Sequence, residues 1–350
     1  MLDDIPLPNI TTDLSGHEQA ELLFLDAYRS GRMHHAWLIT GPQGIGKASF
    51  AFRAARFVLE HPDQNDPALA ELGDLSVAPG SRAAAKVAAG AHPNLLHLKR
   101  PFDEKNKRLR AEIPVDEVRR TQAFFGTTAA ERGWRICLID CADDLNKNAA
   151  NALLKTLEEP TDKGLYLIVC HNPGRILPTI RSRCRTLRLR GLSRPDLAAT
   201  VRSVLERSGT QVPDADLETT LDTCQGSVGK ALMLLMSGGV EVVHGFRAVA
   251  GSFPRIDRSS LHRFAQGLAA RDAENQFELF CELAVELATD TIRLPDLPLG
   301  AKIRMADAGQ SITDIARESR IFNLDRKQTV IRMVETLAEA TVSPISHRSA

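Results

Sequence analysis

A glycine-rich loop between an apolar run and a helix-forming stretch constrains this chain more than any other feature. His35-Ala36-Trp37-Leu38-Ile39-Thr40 is a short apolar run, Gly41-Pro42-Gln43-Gly44-Ile45-Gly46-Lys47 follows it, and Lys47 to Glu60 favours helix. In that setting loop N–H groups can cradle phosphate, the lysine can reach the outer phosphates, and the helix N-terminus adds a favourable dipole. The same string also suits a glycine turn that holds no ligand. Further apolar runs at Asn94 to Leu98, Ile136 to Ile139, Leu165 to Cys170 and, more weakly, Thr186 to Leu189 alternate with helical patterns. Alternation of this kind predicts an α/β domain with a parallel sheet covered on both faces.

At 350 residues the chain is too long for one small core, so two or three domains are expected. The β-rich pattern stops near residue 192, and Leu-, Ala- and Arg-rich helical spacing replaces it. Ser193 reads as a helix cap with Pro195 in the first turn. A small helical domain runs to the Ser237-Gly238-Gly239 breaker. Beyond it, Phe277 to Leu287 and Leu324 to Ala340 read as helices separated by the turn-rich Pro295 to Gly300. The predicted division is 1–191 α/β, 192–238 a small helical domain and 239–350 an all-helical domain. Residues 61–92 read as a loop and short-helix insertion, and Ser343 to Ala350 as a frayed end.

The loop keeps the parts that bind phosphate and lacks those that use it. Ala48 stands where a magnesium-binding hydroxyl is needed, and Ser49 cannot replace it, because one residue along a helix rotates a side chain by roughly 100°. Trp134 to Asp140 reads as a buried strand ending in an acid that can meet Mg²⁺ through water. The next residue is Cys141, which cannot act as a carboxylate base. Asp143 and Asp144 are expected to open the following helix, where negative charge complements the dipole. Asn148 to Glu159, stopped by Pro160, is an amphipathic helix with Leu153, Leu154 and Leu157 facing a core.

Five arginines fall between Arg181 and Arg190, around the tripeptide Ser182-Arg183-Cys184. By pattern alone such a run suits a solvated strand face, an anion-binding patch or a specific functional arginine. Lys+Arg and Asp+Glu both number 44, so any nucleic-acid contact must come from a local patch rather than a bulk field. The six cysteines contain no C-x-x-C, which argues against a zinc cluster and a disulfide framework. Neither a leader-like first segment nor a membrane-spanning run is read, so no membrane is expected and the expected location is the cytoplasm.

In this order the segments resemble the AAA+ clamp-loader family of bacterial DNA polymerase III, in its delta prime branch. The resemblance runs through Gly16-His17, His34 to Trp37, Gly44 to Lys47, Ile139-Asp140, Asn148 to Pro160, His171-Asn172-Pro173, Leu177 to Cys184 and Gly226 to Leu232, covering about the first 235 residues. It implies an AAA+ RecA-like parallel-sheet domain, a small helical lid and an all-α collar that holds five subunits in a ring. The implied partners are the ATPase subunits and delta of that hetero-pentamer, the sliding clamp, and primed DNA reached through the complex. Arg183 is then an arginine finger acting in trans on a neighbour's ATP. Gly41, Gly44, Gly46, Lys47 and Asp140 form a residual nucleotide site for ATP or ADP, with no cofactor required.

Two departures bear on that reading. Residues 61–92 lack the four-cysteine zinc module that relatives often carry, so no zinc is expected, and Gly229 stands where active clamp-loader ATPases place a sensor arginine, with Lys230 one position off. The leading expectation is a non-catalytic, stator-like subunit. An active AAA+ ATPase of the clamp-loader or branch-migration type would want Thr at 48 and Glu at 141, and neither is present. An independent nucleic-acid-binding protein using the 181–190 arginines is disfavoured by zero net charge and by the lack of an interleaved aromatic platform.

Overall fold

The computed structural model describes residues 7–105, 107–126, 133–270 and 273–341. Their chain forms two compact units. The larger takes in the described residues up to Pro213 together with Leu221–Leu232, and the smaller takes in Asp214–Thr220 together with those from Met233 onward.

Apart from Asp214–Thr220, which belong to the smaller unit, the following elements form the larger unit: helix α1 (Glu18–Arg29) leads into strand β1 (Ala36–Thr40), and the glycine loop joins β1 to α2 (Lys47–Glu60). Helix α3 (Arg82–Ala88) precedes β2 (Leu95–Lys99). A two-stranded antiparallel ribbon of β3 (Phe102–Asp103) and β4 (Arg108–Leu109) leads to α4 (Val115–Gly126). Then come β5 (Arg135–Asp140), α5 (Lys147–Glu158), β6 (Gly164–Cys170), the short α6 (Pro178–Arg181), β7 (Arg185–Arg188) and α7 (Arg194–Arg207). Helix α8 (Asp214–Thr223) and the start of α9 (Val228–Met236) complete the path. The five-stranded sheet has the order β2-β5-β6-β1-β7 with every pairing parallel. It is the parallel sheet, covered on both faces, that the alternation of apolar runs and helical patterns predicts.

Successive side chains of a strand point to opposite faces, and here both faces are covered. Trp37 and Ile39 of β1 join Phe24, Phe50 and Phe57 on one side, while Ala36 and Leu38 join Leu153, Leu157 and Ile168 on the other. Two-sided burial is why these strands read as continuous apolar runs rather than alternating ones. In the insertion, Leu69, Leu75 and Val87 are buried against the first of these clusters. The N-terminal strap is tied to α2 and α3, with Arg53 of α2 donating to the Thr12 carbonyl at 2.7 Å and Asn9 donating to the carbonyl of Ala88 at the end of α3 at 2.8 Å.

The smaller unit is helical: α10 (Gly239–Ala250), α11 (Arg258–Leu268), α12 (Glu274–Arg293), α13 (Leu299–Phe322) and α14 (Arg326–Thr341). Phe246, Phe264 and Phe280 meet ring to ring at its centre, with centroids 5.3 to 6.4 Å apart. The sequence reading anticipated α12 and α14 but not the 24-residue α13 between them. Its buried positions Met305, Ala308, Ile312, Ile315 and Ser319 make a narrow stripe at helical spacing, broken up by Gly300, Gly309 and polar neighbours. Among the described residues no single helix is long and apolar enough to cross a membrane. The frayed end expected at 343–350 lies outside the described residues.

Candidate functional site

The carboxyl ends of β1, β6 and β5 lie side by side, and the glycine loop leaves the first of them. Open parallel sheets bind their ligands at this edge. Every carbonyl from Gly41 to Ile45 has a donor. Lys47 Nζ donates to the Gly41 carbonyl at 2.7 Å and also to that of Pro42. Ser227 Oγ donates to Gln43 O at 2.9 Å, and the N–H of Gly229 donates to Gly44 O at 2.8 Å. His17 Nε2 lies 2.7 Å from Ile45 O, and since a carbonyl only accepts, the imidazole carries its proton on Nε2. The N–H groups from Gln43 to Lys47, by contrast, meet no hydrogen-bond acceptor among the described residues. The loop is thus held open as a nest of donors by Lys47 itself, by Gly229 of α9 and Ser227 just before it, and by His17 just before α1.

Gly44 and Gly229 make this possible. Gly44 has φ of +75°, and a Cβ there would stand 2.4 Å from Ser227 Oγ. A Cβ on Gly229 would lie 3.0 Å from Gly44 Cα and 3.3 Å from Gly44 O. A side chain at 229 enters that contact only if the loop or the helix gives by a few tenths of an ångström.

Lys47 is only 3% exposed. Burial lowers its ammonium pKa to about 8, against the opposing pull of Asp143, Cys141, Cys170 and Asp140. Burial raises Asp140 at the end of β5, with Asp144 adding to it, while Lys47 pulls the other way. Cys141 is buried, and burial, with Asp144 and Asp143 nearby, pushes its thiol up to about 12. It stays a neutral thiol at physiological pH and cannot take a proton from water.

A cavity of about 380 Å³ adjoins the loop. Gly44, Gly46, Lys47, Ala48 and Asp140 line one side, and the other is apolar, formed by Pro8, Leu14, Leu192, Val204 and Leu232. The Thr200 hydroxyl also lines it and has no hydrogen-bond partner. Free N–H groups, a buried lysine and an apolar chamber fit the phosphates and base of a nucleotide. The metal is a different matter: Ala48 offers no oxygen, and among the described residues no group of three or more His, Cys, Asp or Glu side chains is placed to hold an ion.

Asp143 and Asp144 do not open α5, as the sequence had suggested. They end a short 3-10 turn, and Asn146 caps α5 by accepting from Ala149 N–H. Asp143 instead accepts the N–H groups of His171 and Asn172 at 2.6 and 2.7 Å, closing the loop after β6. Burial would raise its pKa, but those two N–H donors hold it below the usual carboxylate range. Asp144 pairs with Arg100 at 3.2 Å.

Arg183 stands apart from this cavity, just after α6. Its guanidinium reaches Glu158 Oε1 at 2.8 Å and the Thr179 carbonyl at 2.9 Å, and its side chain is 36% exposed. Next to it, Cys184 packs against the core, where burial pushes its thiol up to about 12. Arg185 lies over the Trp37 ring at 4.7 Å, while Arg188 and Arg190 face outward. The structure therefore brings together Gly41, Gly44, Gly46, Lys47 and Asp140 and sets Arg183 elsewhere. Ser227 and Thr200 were missed as site residues because their contribution depends on close approach of segments far apart in sequence.

The model of the family described as DNA polymerase III, delta subunit, matches residues 16–193, just over half of the chain. The chain belongs to this family. Among relatives of the DNA polymerase III family members, the delta prime subunit of Pseudomonas aeruginosa is 39% identical over 151 residues, 43% of this chain and 41% of that one. The delta prime subunit of Escherichia coli K12 is 32% identical over 236 residues, 67% of this chain and 65% of its own length. A gamma/tau subunit of Mycobacterium tuberculosis is 26% identical over 333 residues, 89% and 54% of the two chains. This chain thus spans less than two thirds of the length of each of these relatives. Among solved structures, a gamma subunit-related protein of Thermotoga maritima is similar at a TM-score of 0.45 and 14% identity, covering 91% of this chain and 99% of its own.

Proposed function

We propose that this chain is a non-hydrolysing, stator-like subunit of a bacterial clamp loader, working with ATPase subunits and delta in a five-membered ring that places a sliding clamp on primed DNA in the cytoplasm. The observation that carries the reading is the Gly229–Gly44 contact. At the position where an active relative would present a sensor arginine, this chain has a glycine packed on the phosphate loop, where a Cβ would lie 3.0 Å from Gly44 Cα and force the two backbones apart by a few tenths of an ångström. Ala48 and Cys141 remove the metal ligand and the water-activating base from the same site. The three changes act together against hydrolysis.

Binding is a separate matter. The N–H groups of Gln43 to Lys47 and the Lys47 ammonium would hold the phosphates of ATP or ADP, and the apolar chamber its base. Bound there, the nucleotide would supply negative charge that satisfies the loop donors and no reaction. Residues 192–238 serve as the lid and 239–350 as the collar.

Arg183 is the group through which the subunit acts on a neighbour. Guanidinium offers a fixed charge and several donors to phosphate oxygens as charge develops on them. An exposed arginine–carboxylate pair is worth only about 0–1 kcal/mol, so exchanging Glu158 for a phosphate costs little.

The purified protein tests the non-hydrolysing claim. ATP turnover should not exceed background. A rate of about 1 s⁻¹ that disappears in Lys47→Ala would contradict it.

A further inference from the structure

We propose that the β3–β4 ribbon is a direct contact for single-stranded DNA, with Phe102 as a base-stacking face and the exposed Lys105 and Arg110 as phosphate contacts. It goes beyond the clamp-loader reading, which places DNA contact in the complex as a whole, and it does not depend on Arg183.

The ribbon is two residues long on each side and pairs with no strand of the main sheet. Phe102 stands directly opposite Leu109, and the two are 51% and 50% exposed. A short isolated ribbon is marginal by itself, and here its one large apolar pair leaves about half of its surface in solvent. Its shape is held by other means. Arg110 N–H donates to the Pro101 carbonyl at 2.8 Å, Lys105 N–H to Asp103 Oδ1 at 3.0 Å, and Arg100 is fixed to Asp144 at 3.2 Å. The structure thus spends its anchoring on presenting Phe102 and Leu109 rather than hiding them.

Charge says what the pair is presented to. Residues 99–110 carry six Lys or Arg against Asp103 and Glu104, a local excess of positive charge in a chain whose charges sum to zero. An acidic protein face would satisfy the cations and leave the phenyl ring without a matching group. An unpaired nucleotide offers a phosphate and a flat π-face on one unit, and that combination of groove cations with an aromatic platform is how single strands are held without sequence preference. The aromatic interleaving that the 181–190 segment lacks is present here.

The test is fluorescence anisotropy of the full-length protein with a labelled oligo-dT about 16 nucleotides long, at low salt and along a salt series. Phe102→Trp should bind as well as the parent protein. Phe102→Leu and Phe102→Ala should each weaken binding by about 5- to 100-fold, the range seen for losing one stacked base. Lys105→Ala with Arg110→Ala should leave the Phe102 effect in place and lower the slope of log affinity against log salt by about one. Phe102→Leu keeps an apolar residue on the ribbon, so a drop shared with Ala but absent in Trp reports stacking, not folding. The proposal is overturned by no oligo-dT binding at low salt, by equal binding of the Leu and parent proteins, or by duplex DNA binding as tightly as the single strand. It is likewise overturned if Phe102→Leu blocks assembly with other subunits while leaving DNA binding intact, which would make the ribbon a protein contact.

Discussion

The N–H of Gly229 donates to the carbonyl of Gly44 across 2.8 Å, so the start of α9 and the phosphate loop share a backbone hydrogen bond. Ser227 adds a second bond one residue earlier on the loop. An arginine grafted at 229 would place its Cβ 3.0 Å from Gly44 Cα, inside this backbone contact.

The first expectation concerns that graft. Gly229→Ala should destabilise the protein by about 1–3 kcal/mol, as overpacking of a tight contact does, and lower its thermal midpoint. Gly229→Arg should do the same without creating ATP turnover. A Gly229→Arg protein that is as stable as the parent would show that the contact does not constrain the loop.

Metal should be irrelevant to any nucleotide bound here. With Ala48 in place of a hydroxyl, titration calorimetry should give ADP affinities that agree within about threefold in Mg²⁺ and in EDTA. Lys47→Ala should abolish the binding. Because burial holds the Lys47 ammonium at about 8, affinity should weaken as pH rises through that value and the charge is lost. A gain of about tenfold or more from Mg²⁺ would mean that another oxygen completes the metal site.

Collar assembly should depend on the exposed end of α13. Ile321 and Phe322 are 66% and 68% exposed, with Leu324 close by in sequence. Replacing Ile321 and Phe322 by Ser should leave the isolated protein folded by circular dichroism while weakening its entry into the partner complex by about 2 kcal/mol or more. Unchanged assembly would move the contact elsewhere in the unit.

Acid should weaken the fold through His97. It lies on β2 against the edge of Phe52, its Nε2 has no partner, and burial lowers its pKa to about 4, with Lys99 adding to the effect. The unfolded chain takes up this proton near 6.5 and the folded chain only near 4, so within that window the unfolded state binds more protons and stability falls as pH falls. His97→Leu should remove about 3 kcal/mol of that pH dependence in urea titrations at pH 7 and pH 4. An unchanged slope would place the acid sensitivity on other groups.

The sheet was legible because its strands are buried on both faces and its glycine loop has fixed neighbours in sequence. Helix α2 falls where the sequence put it, Lys47–Glu60, and the Ser193 cap forms as read, accepting from Asp196 N–H. The residues Gln43 to Lys47 and Asp140, which line one cavity, were legible as a sequence pattern, but the shape of the loop was not. The donors that hold the loop, Ser227 Oγ, Gly229 N–H and His17 Nε2, come from segments whose approach no local pattern encodes. Asp143 was misplaced for the same reason: its partners, His171 and Asn172, lie across β6 and not in the next helix. The β3–β4 ribbon escaped notice because two-residue strands carry almost no periodic signal.

The most direct measurement compares DNA- and clamp-stimulated ATP turnover of the reconstituted clamp loader containing this protein with that of a complex containing Arg183→Ala. Arginine fingers contribute as much as about 10³ to 10⁵ in rate at a single site, and a ring with several sites should lose less in total. The complex should still assemble while its turnover and clamp loading fall, and Arg185→Ala or Arg188→Ala should change turnover much less. An Arg183→Ala complex that assembles and hydrolyses ATP at the full rate would contradict the account and return Ser182-Arg183-Cys184 to being an arginine-rich lead into an edge strand.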